Sequence, residues 1–345
     1  MKYKSHIAGF IFIILLCTLP GYISPVENVL ITGLGRPVSL NIDNDHLYII
    51  ENSIIHIYSL SDMDHIKSFG KQGQGPGEFQ TLPHVPVTLD CSTNELIAGS
   101  IRKISYFSKR GEFKREVKGK NLAYKLVYLD NRIGRDRFLG WSRTTHEKFN
   151  YNTIVVFDHE LNKVKQIYEA KDPYQGAGKG YAILTKVFDF ISHRDKIIIP
   201  GNDNRSLDIL DHDLKLQFSL IPEAKPLAVP ESFKKQLLHY LKTSAETKSA
   251  WPLIKPVRFP EYFPAVSSFF ADSGLIYIMT WDKTEKENVF FLYSMDGEFK
   301  SEKTIPVKYE TDTQPYPMII KNGKLYQLVE NTEAEEWELL IHKIL

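Results

Sequence analysis

The feature that most constrains the fold of this chain is a strand-turn-strand unit that recurs about every 50 residues. Each unit contains three apolar strands separated by short polar turns, as in residues 47–50, 54–59 and 65–69. Regular repeats of this length are typical of sheets arranged radially around an axis. The spacing therefore predicts an all-β, six-bladed β-propeller. The last apolar residue of each middle strand marks the repeat, at Tyr58, Phe107, Phe157, Leu210, Tyr293 and Ile341.

A more variable apolar stretch precedes each unit and predicts a fourth, innermost strand in every antiparallel blade. These stretches are residues 38–42, 85–89, 126–129, 187–191, 265–269 and 317–320. The sixth unit ends at Leu345 after its third strand and so lacks an outer partner. Val29 to Thr32 lies before the first complete unit, and we predict that it supplies this strand. The pairing would close the ring and remove two exposed sheet edges.

One interval between repeats is longer than the others by about thirty residues. The excess lies at about 223–260, between the fourth and fifth units. Pro230 precedes apolar residues at helical spacing from Phe233 to Leu241, and proline suits a first helical turn. The segment predicts a short helical insert that packs on one face of the ring. A lid over a ligand or partner is the alternative.

Residues 1–24 differ in character from the rest of the chain. Lys2 and Lys4 precede an apolar run from Ile7 to Leu19, and a helix-breaking Pro-Gly pair follows. This order is typical of an export signal, and a retained membrane anchor is the alternative. We therefore predict an exported protein, in the periplasm, in the cell envelope or secreted, whose residues 25–345 form a single propeller domain.

The chain contains two cysteines. Cys17 lies near the end of the apolar run, where bacterial lipoproteins carry their lipid, but Leu16 stands where that signal requires a small residue. If the N-terminal segment is removed, Cys91 is the single remaining thiol and no disulfide can form within the chain. We interpret Cys91 as a small buried residue.

The stretch from Gly70 to Phe79, Gly-Lys-Gln-Gly-Gln-Gly-Pro-Gly-Glu-Phe, follows the third strand of the first unit. It resembles the loop of NHL-repeat and TolB-like six-bladed propellers of exported bacterial proteins. Residues 272–278, 294–299 and 259–264 are similar to such proteins in weaker form, and the other units match by pattern. The resemblance covers most of the chain beyond about Asn28 and implies an exported propeller. Because the lysine position and Pro76 do not fit a P-loop, we interpret the stretch as a crossover between blades.

Charge and motifs exclude several classes of function. With 43 basic and 42 acidic side chains, the chain offers no general field for nucleic acid or an anionic membrane. It has no Gly-x-Ser-x-Gly elbow, and its histidines lack the spacing of metal ligands. We assign no catalytic residue, metal ligand or cofactor. A calcium-dependent hydrolase or lyase is the alternative, since some propellers hold calcium in the channel with ligands from separate blades.

The longest or most charged loops are predicted between the second and third strands of the blades, at residues 142–152, 201–205, 281–287 and 331–336. These loops share a face with the crossovers between blades, and function commonly lies on loops that a rigid scaffold presents. We predict that the ligand-binding residues lie there, at the mouth of the central channel. The candidates are Arg36, His84, Tyr124, Lys186, Tyr262, Tyr316 and Trp281.

An aromatic and basic rim suits an extended polar ligand such as a peptide or glycan; packing between blades is the alternative for each aromatic residue. The predicted function is a monomeric scaffold in the cell envelope that binds a protein, peptide or glycan. No nucleic-acid partner is expected, and the membrane is contacted through the N-terminal segment alone. A sensor domain of a larger regulator is a third interpretation.

Overall fold

The computed structural model describes residues 27–81, 85–120, 123–132, 134–175, 180–185, 188–203, 205–244, 247–284, 287–311 and 313–345. Within these residues the chain forms 26 strands and two helices. All strands but two belong to six antiparallel sheets of four strands each. The prediction of six four-stranded blades is confirmed.

The first three blades follow one another along the chain, after a strand that precedes them. That strand is β1 (Glu27–Ile31). Blade 1 contains β2 (Ser39–Ile42), β3 (His46–Glu51), β4 (Ile54–Ser59) and β5 (His65–Phe69). Blade 2 contains β6 (Thr88–Asp90), β7 (Leu96–Ser100), β8 (Lys103–Phe107) and β9 (Phe113–Lys118). Blade 3 contains β10 (Tyr124–Arg132), β11 (Arg135–His146), β12 (Phe149–Phe157) and β13 (Lys163–Lys171).

The second half of the ring contains the remaining blades and the helices. The short strand β14 (Tyr181–Ala182) leads to blade 4. Blade 4 contains β15 (Ile191–His193), β16 (Lys196–Pro200), β17 (Leu207–Asp211) and β18 (Leu216–Leu220). The insert contains α1 (Glu231–Thr243), α2 (Trp251–Ile254) and β19 (Val257–Arg258). Blade 5 contains β20 (Ser268–Asp272), β21 (Leu275–Lys283), β22 (Glu287–Ser294) and β23 (Phe299–Pro306). Blade 6 contains β24 (Met318–Lys321), β25 (Lys324–Asn331) and β26 (Glu336–Lys343).

The antiparallel order of each blade divides the ring into two faces. The segments that join one blade to the next and the hairpins between second and third strands share one face, here called the crossover face. The turns after the first and third strands share the opposite face, here called the turn face. Asp43 and Gly111 mark the turn face, whereas Arg36 and the β11–β12 hairpin mark the crossover face.

The N-terminal strand closes the ring as the sequence predicts. Strand β1 pairs antiparallel with β26 over five residue pairs, from Glu27 with Ile341 to Ile31 with Trp337. It therefore becomes the outer strand of blade 6. It begins two residues before the predicted Val29 and ends one residue before the predicted Thr32. The pairing places the described N-terminal strand beside the last strand of the chain in one sheet, so that β26 is not left as the outer edge of blade 6.

The hydrophobic core consists of six clusters, each between two neighbouring blades. Between blades 6 and 1, for example, Leu40 and Leu47 pack with Leu328 and Leu339. The repeat-marking residues are all buried in these clusters: Tyr58, Phe107, Phe157, Leu210, Tyr293 and Ile341. The sequence period is thus the period of interblade packing.

Five of the six inner strands begin later than the apolar stretches that predict them, whereas β10 begins two residues earlier, at Tyr124. Residues 85–89 give a strand at Thr88–Asp90, and residues 265–269 give one at Ser268–Asp272. The apolar residues before these strands are buried between blades without pairing in the sheet, as Val87 and Val266 are. Hydrophobicity here predicts burial rather than pairing in the sheet.

Two turns on the turn face require glycine for the same reason. Gly111 follows β8 and has φ +74°, and a Cβ atom there would lie 2.5 Å from the ring of Phe69 in blade 1. Gly297 follows β22 and has φ +86°, and its Cβ would lie 2.7 Å from Phe218 in blade 4. Each turn therefore packs its bare backbone against an aromatic ring of the preceding blade, a contact that other residues would prevent.

The insert between blades 4 and 5 is helical, as predicted. Helix α1 starts directly after Pro230 and buries Leu237 and Leu241. Strand β19 pairs in parallel with β14, so the insert contacts the segment that joins blades 3 and 4. On its other side, Phe233 of α1 packs edge-on against Phe263 at 5.2 Å. The insert thus lies on the crossover face.

The glycine-rich stretch is the crossover from blade 1 to blade 2. Its amides are bonded within the loop: Gly75 N donates to Glu78 Oε2 at 2.8 Å and Phe79 N donates to Lys71 O at 2.8 Å. The buried Lys103 donates from Nζ to Gly75 O at 2.9 Å, and Phe79 is fully buried between the blades. These bonds hold the loop in place, and its position between β5 and β6 confirms that it is a crossover between blades.

Candidate functional site

A central channel of about 1310 Å³ runs between the inner strands. Its lining extends from Tyr316 and Trp141 near the crossover face to Asp43 and Lys321 near the turn face. The innermost strands of all six blades contribute to the wall. The wall of the channel as a whole mixes apolar side chains with polar and charged ones, and the channel is larger than the usual pocket for a small organic ligand.

The crossover end of the channel has an aromatic wall formed by blade 3 and by the segment before blade 4. Trp141 of β11 lines the channel, and its ring lies 5.1 Å from that of Tyr124 and 6.0 Å from that of Phe188. Phe188 also lines the channel and packs against Tyr168 at 6.0 Å. These ring contacts restrict the movement of the indole. We call this end of the channel, with Lys125, Trp141, Asn152, Phe188 and Asp189, the crossover mouth.

Asn152 lies beside the indole and is 8% exposed. Its Oδ1 accepts hydrogen bonds from Trp141 Nε1 at 3.3 Å and from Arg143 Nε at 3.4 Å. Both nitrogens are donors that cannot accept, so the oxygen of the amide must face them. The Nδ2 group of Asn152 therefore points away from this pair.

Two ion pairs flank the wall. Lys125 Nζ donates to Asp189 Oδ1 and lies 4.9 Å from the centre of the Phe190 ring. Burial lowers the pKa of Lys125 to about 8. On the other side, the guanidinium of Arg143 bonds to the buried carboxylate of Asp172 at 2.8 Å.

The predicted site residues are spread over the crossover face rather than gathered at one point. Tyr316 lines the channel and packs edge-on against Trp337. Tyr124 begins β10 and supports Trp141 from behind. Arg36 is exposed and binds Glu310, which links the crossover into blade 1 with that into blade 6.

Two further candidates lie around the insert. Trp281, at the end of β21, stacks on Phe263 at 4.9 Å, and its Nε1 is buried without a hydrogen-bond partner among the described residues. Tyr262 is 47% exposed and bonds to the Glu261 side chain, which raises the pKa of the phenol. Neither residue lines the channel. His84 and Lys186 lie outside the described residues.

Sequence reasoning missed Trp141, Asn152, Phe188 and Asp189. From the sequence, Trp141 is indistinguishable from a core residue of an apolar strand. The sequence does not show that its position in the strand places it at the channel. Asn152 gave a weak signal as a polar residue two positions before the apolar run at 154–157, at the end of the loop predicted at 142–152. Pairing across the sheet brings these residues together: Asn152 lies opposite Arg143, and Trp141 lies opposite Tyr124.

The turn-face end of the channel is lined by polar side chains, some of which bond to a neighbouring blade. Lys109 of blade 2 reaches across to blade 1, where its Nζ donates to Asp43 Oδ2 at 2.9 Å and to Cys91 O at 2.6 Å. Burial raises the pKa of Asp90 and raises that of Cys91 to about 12, while it lowers the pKa of His193. These groups join neighbouring blades at the channel rim.

Metal and membrane elements were also sought within the described ranges. No group of three or more His, Cys, Asp or Glu side chains there is arranged to hold a metal ion. The predicted calcium alternative stays untested. Neither described helix is long and apolar enough to cross a bilayer.

Fold and site together define a six-bladed β-propeller with an aromatic-walled channel mouth. A protein of Bacteroides fragilis whose export is inferred has a similar structure, with a TM-score of 0.55, 13% identity, and coverage of 93% of this chain and 95% of that one. A member of the DUF4221 family from Bacteroides vulgatus is similar with a TM-score of 0.50, 13% identity, and coverage of 92% and 97%. At this identity the similarities establish the fold alone. No protein-family model and no curated protein matches the chain.

Proposed function

We propose that this protein is an exported, non-catalytic scaffold that binds an extended polar ligand, a peptide or glycan, at the crossover mouth. The observation that carries the proposal is the channel of about 1310 Å³ with Trp141 and Phe188 on its wall and polar side chains beside them. Ligand sites combine an apolar wall with a few fixed polar groups in this way. The aromatic contacts hold the wall in one arrangement before a ligand arrives, which reduces the entropy lost on binding.

Location in the cell envelope is part of the proposal. Two sequence features support this location. Residues 1–24 have the order of an export signal, and the sequence from Gly70 to Phe79 resembles that of NHL-repeat and TolB-like propellers. Glu27 lies at the turn-face end of β1, because β1 runs from that face to the crossover face. If residues 1–24 stay in the membrane, the tether leaves from the turn face and the crossover mouth faces away from the bilayer.

The proposal is tested by thermal unfolding of the purified chain in the presence of peptide and oligosaccharide libraries. A ligand that binds the folded state alone stabilises it by about 2.7 kcal/mol at a hundred times its Kd, so we expect a rise in Tm of a few degrees. The rise should be lost in Trp141→Ala and kept in Trp251→Ala, which removes an aromatic ring from the insert. Stabilisation that survives Trp141→Ala would place the ligand elsewhere.

A further inference from the structure

The charges around the crossover mouth are balanced within the protein. Lys125 pairs with Asp189 at the channel wall, and Arg143 pairs with the buried Asp172 beside it. No other charged side chain among the described residues lines this end of the channel. A charged ligand would have to break one of these pairs and leave its partner without a counter-charge, which is unfavourable in a partly buried site. The mouth is therefore complementary to an uncharged ligand.

The mouth retains hydrogen-bonding capacity in spite of this balance. The Oδ1 atom of Asn152 is held by Trp141 and Arg143, but its Nδ2 has no hydrogen-bond partner among the described residues, and Asn152 lines the channel. The Lys125–Asp189 pair presents a donor next to an acceptor. A hydroxyl both donates and accepts, so neighbouring hydroxyls can bond to such a pair without displacing either charge.

The apolar part of the mouth is flat and fixed. The Trp141 indole is supported by Tyr124 and Phe188, with ring centroids 5.1 Å and 6.0 Å away. A pyranose ring has one apolar face of C–H groups and a polar edge of hydroxyls. An indole with an amide and an ion pair at its border matches both parts of such a ring.

From these three features we infer that the crossover mouth binds an uncharged sugar residue of a glycan, with its C–H face on Trp141 and its hydroxyls on Asn152, Lys125 and Asp189. The inference rests on the proposed function and specifies its ligand class.

Calorimetric titration of the full chain tests the inference with three sets of probes. They are neutral hexasaccharides of glucose, xylose and mannose, oligogalacturonate of the same length, and mixed decapeptides. We expect saturable binding of at least one neutral hexasaccharide, with an affinity that changes less than about twofold between 0.05 and 0.5 M NaCl because no net charge is neutralised. Trp141→Ala should abolish the binding, and Trp251→Ala should leave it unchanged.

Asn152→Asp supplies a second test that preserves shape. The carboxylate still accepts from Trp141 and Arg143 but has no N–H donor, so the affinity for the neutral hexasaccharide should fall about tenfold. If Trp141→Ala does not fold, this variant carries the test.

The remaining outcomes separate the inference from the proposed function. Trp141-dependent binding of oligogalacturonate or peptides, without binding of neutral hexasaccharides, would overturn the sugar inference and leave the binding scaffold in place. Absence of binding in all three sets, or binding that neither Trp141→Ala nor Asn152→Asp weakens, would overturn both.

Discussion

Single residues on the turn face connect neighbouring blades electrostatically. Asp43 of blade 1 accepts bonds from Lys109 of blade 2, from Tyr48 and from the backbone amides of Asp45 and His46. Burial acts to raise the pKa of Asp43, but these bonds together outweigh it and lower the pKa to about 2. Blade 3 uses the same arrangement, since Asp130 bonds both to Arg137 and to His212 of blade 4.

The pKa of Asp43 makes stability depend on pH. Its folded value lies below the unfolded value of about 3.9, so its contribution of about 2 kcal/mol is present above pH 4 and is lost as the pH falls from about 4 to 2. We expect Asp43→Asn to lower the free energy of unfolding by about 2 kcal/mol at pH 7 and to have little effect near pH 2. Urea unfolding at both pH values measures this.

Asp45→Asn is the matched control for that measurement. Asp45 lies in the same turn and carries the same charge, but it is exposed, and its side chain forms no ion pair within the described residues. It should change stability by less than about 0.5 kcal/mol at either pH. Equal effects of the two substitutions would contradict a specific role for the Asp43–Lys109 pair.

The thiol of Cys91 offers a second test at this scale. Burial and the nearby Asp90 carboxylate raise its pKa to about 12, so the reactive thiolate is scarce at neutral pH. We expect the Cys91 peptide to be alkylated by iodoacetamide at pH 8 at least about a hundredfold more slowly in the folded protein than in urea. Mass mapping of that peptide over time gives the two rates. Similar rates would show that the channel rim is open at Cys91.

At the scale of elements, β1 is the strand on which ring closure depends. Ile31 is 2% exposed and packs between blades 6 and 1, whereas Leu30, its neighbour in the same strand, is 51% exposed. Ile31→Ala should destabilise the protein by about 2–5 kcal/mol, because it opens a cavity in an interblade core, and Leu30→Ala by less than about 0.5 kcal/mol. Denaturant unfolding measures both.

The extent of unfolding distinguishes ring closure from a frayed end. Deletion of residues 29–32 should lower the Tm of the whole propeller in one cooperative transition, because blade 6 loses its outer strand and the core between blades 6 and 1 loses Ile31. Unchanged thermal unfolding of the deleted chain would show that β1 is peripheral.

The elements were largely predictable from the sequence because their apolar period equals the period of interblade burial. Phe107 and Phe157 mark strands correctly because each fills an interblade core. The inner strands were placed less well, since residues such as Val87 and Val266 are buried without pairing in a sheet. The crossover mouth could not be predicted, because Trp141 of blade 3 and Phe188 of the segment before blade 4 are distant in sequence and meet only when these neighbouring blades pack.

At the scale of the whole molecule, the two faces of the ring carry different features. The turn face carries the ion pairs of Asp43 with Lys109 and of Asp130 with His212, and both described ends of the chain, Glu27 and Leu345, lie near it. The crossover face carries the insert, the long β11–β12 hairpin and the crossover mouth.

The crossover mouth as the ligand site is the central claim, and the four tryptophans of the chain allow a direct test. Trp141 lines the channel, while Trp251 lies on the insert, Trp281 stacks on Phe263 and Trp337 packs in blade 6. The measurement is the ¹⁵N–¹H spectrum of the indole groups during titration with a ligand found in the thermal screen. We expect the Trp141 signal to shift in proportion to saturation while the other three stay in place. A shift confined to Trp251 or Trp281 would contradict the account and move the site to the insert.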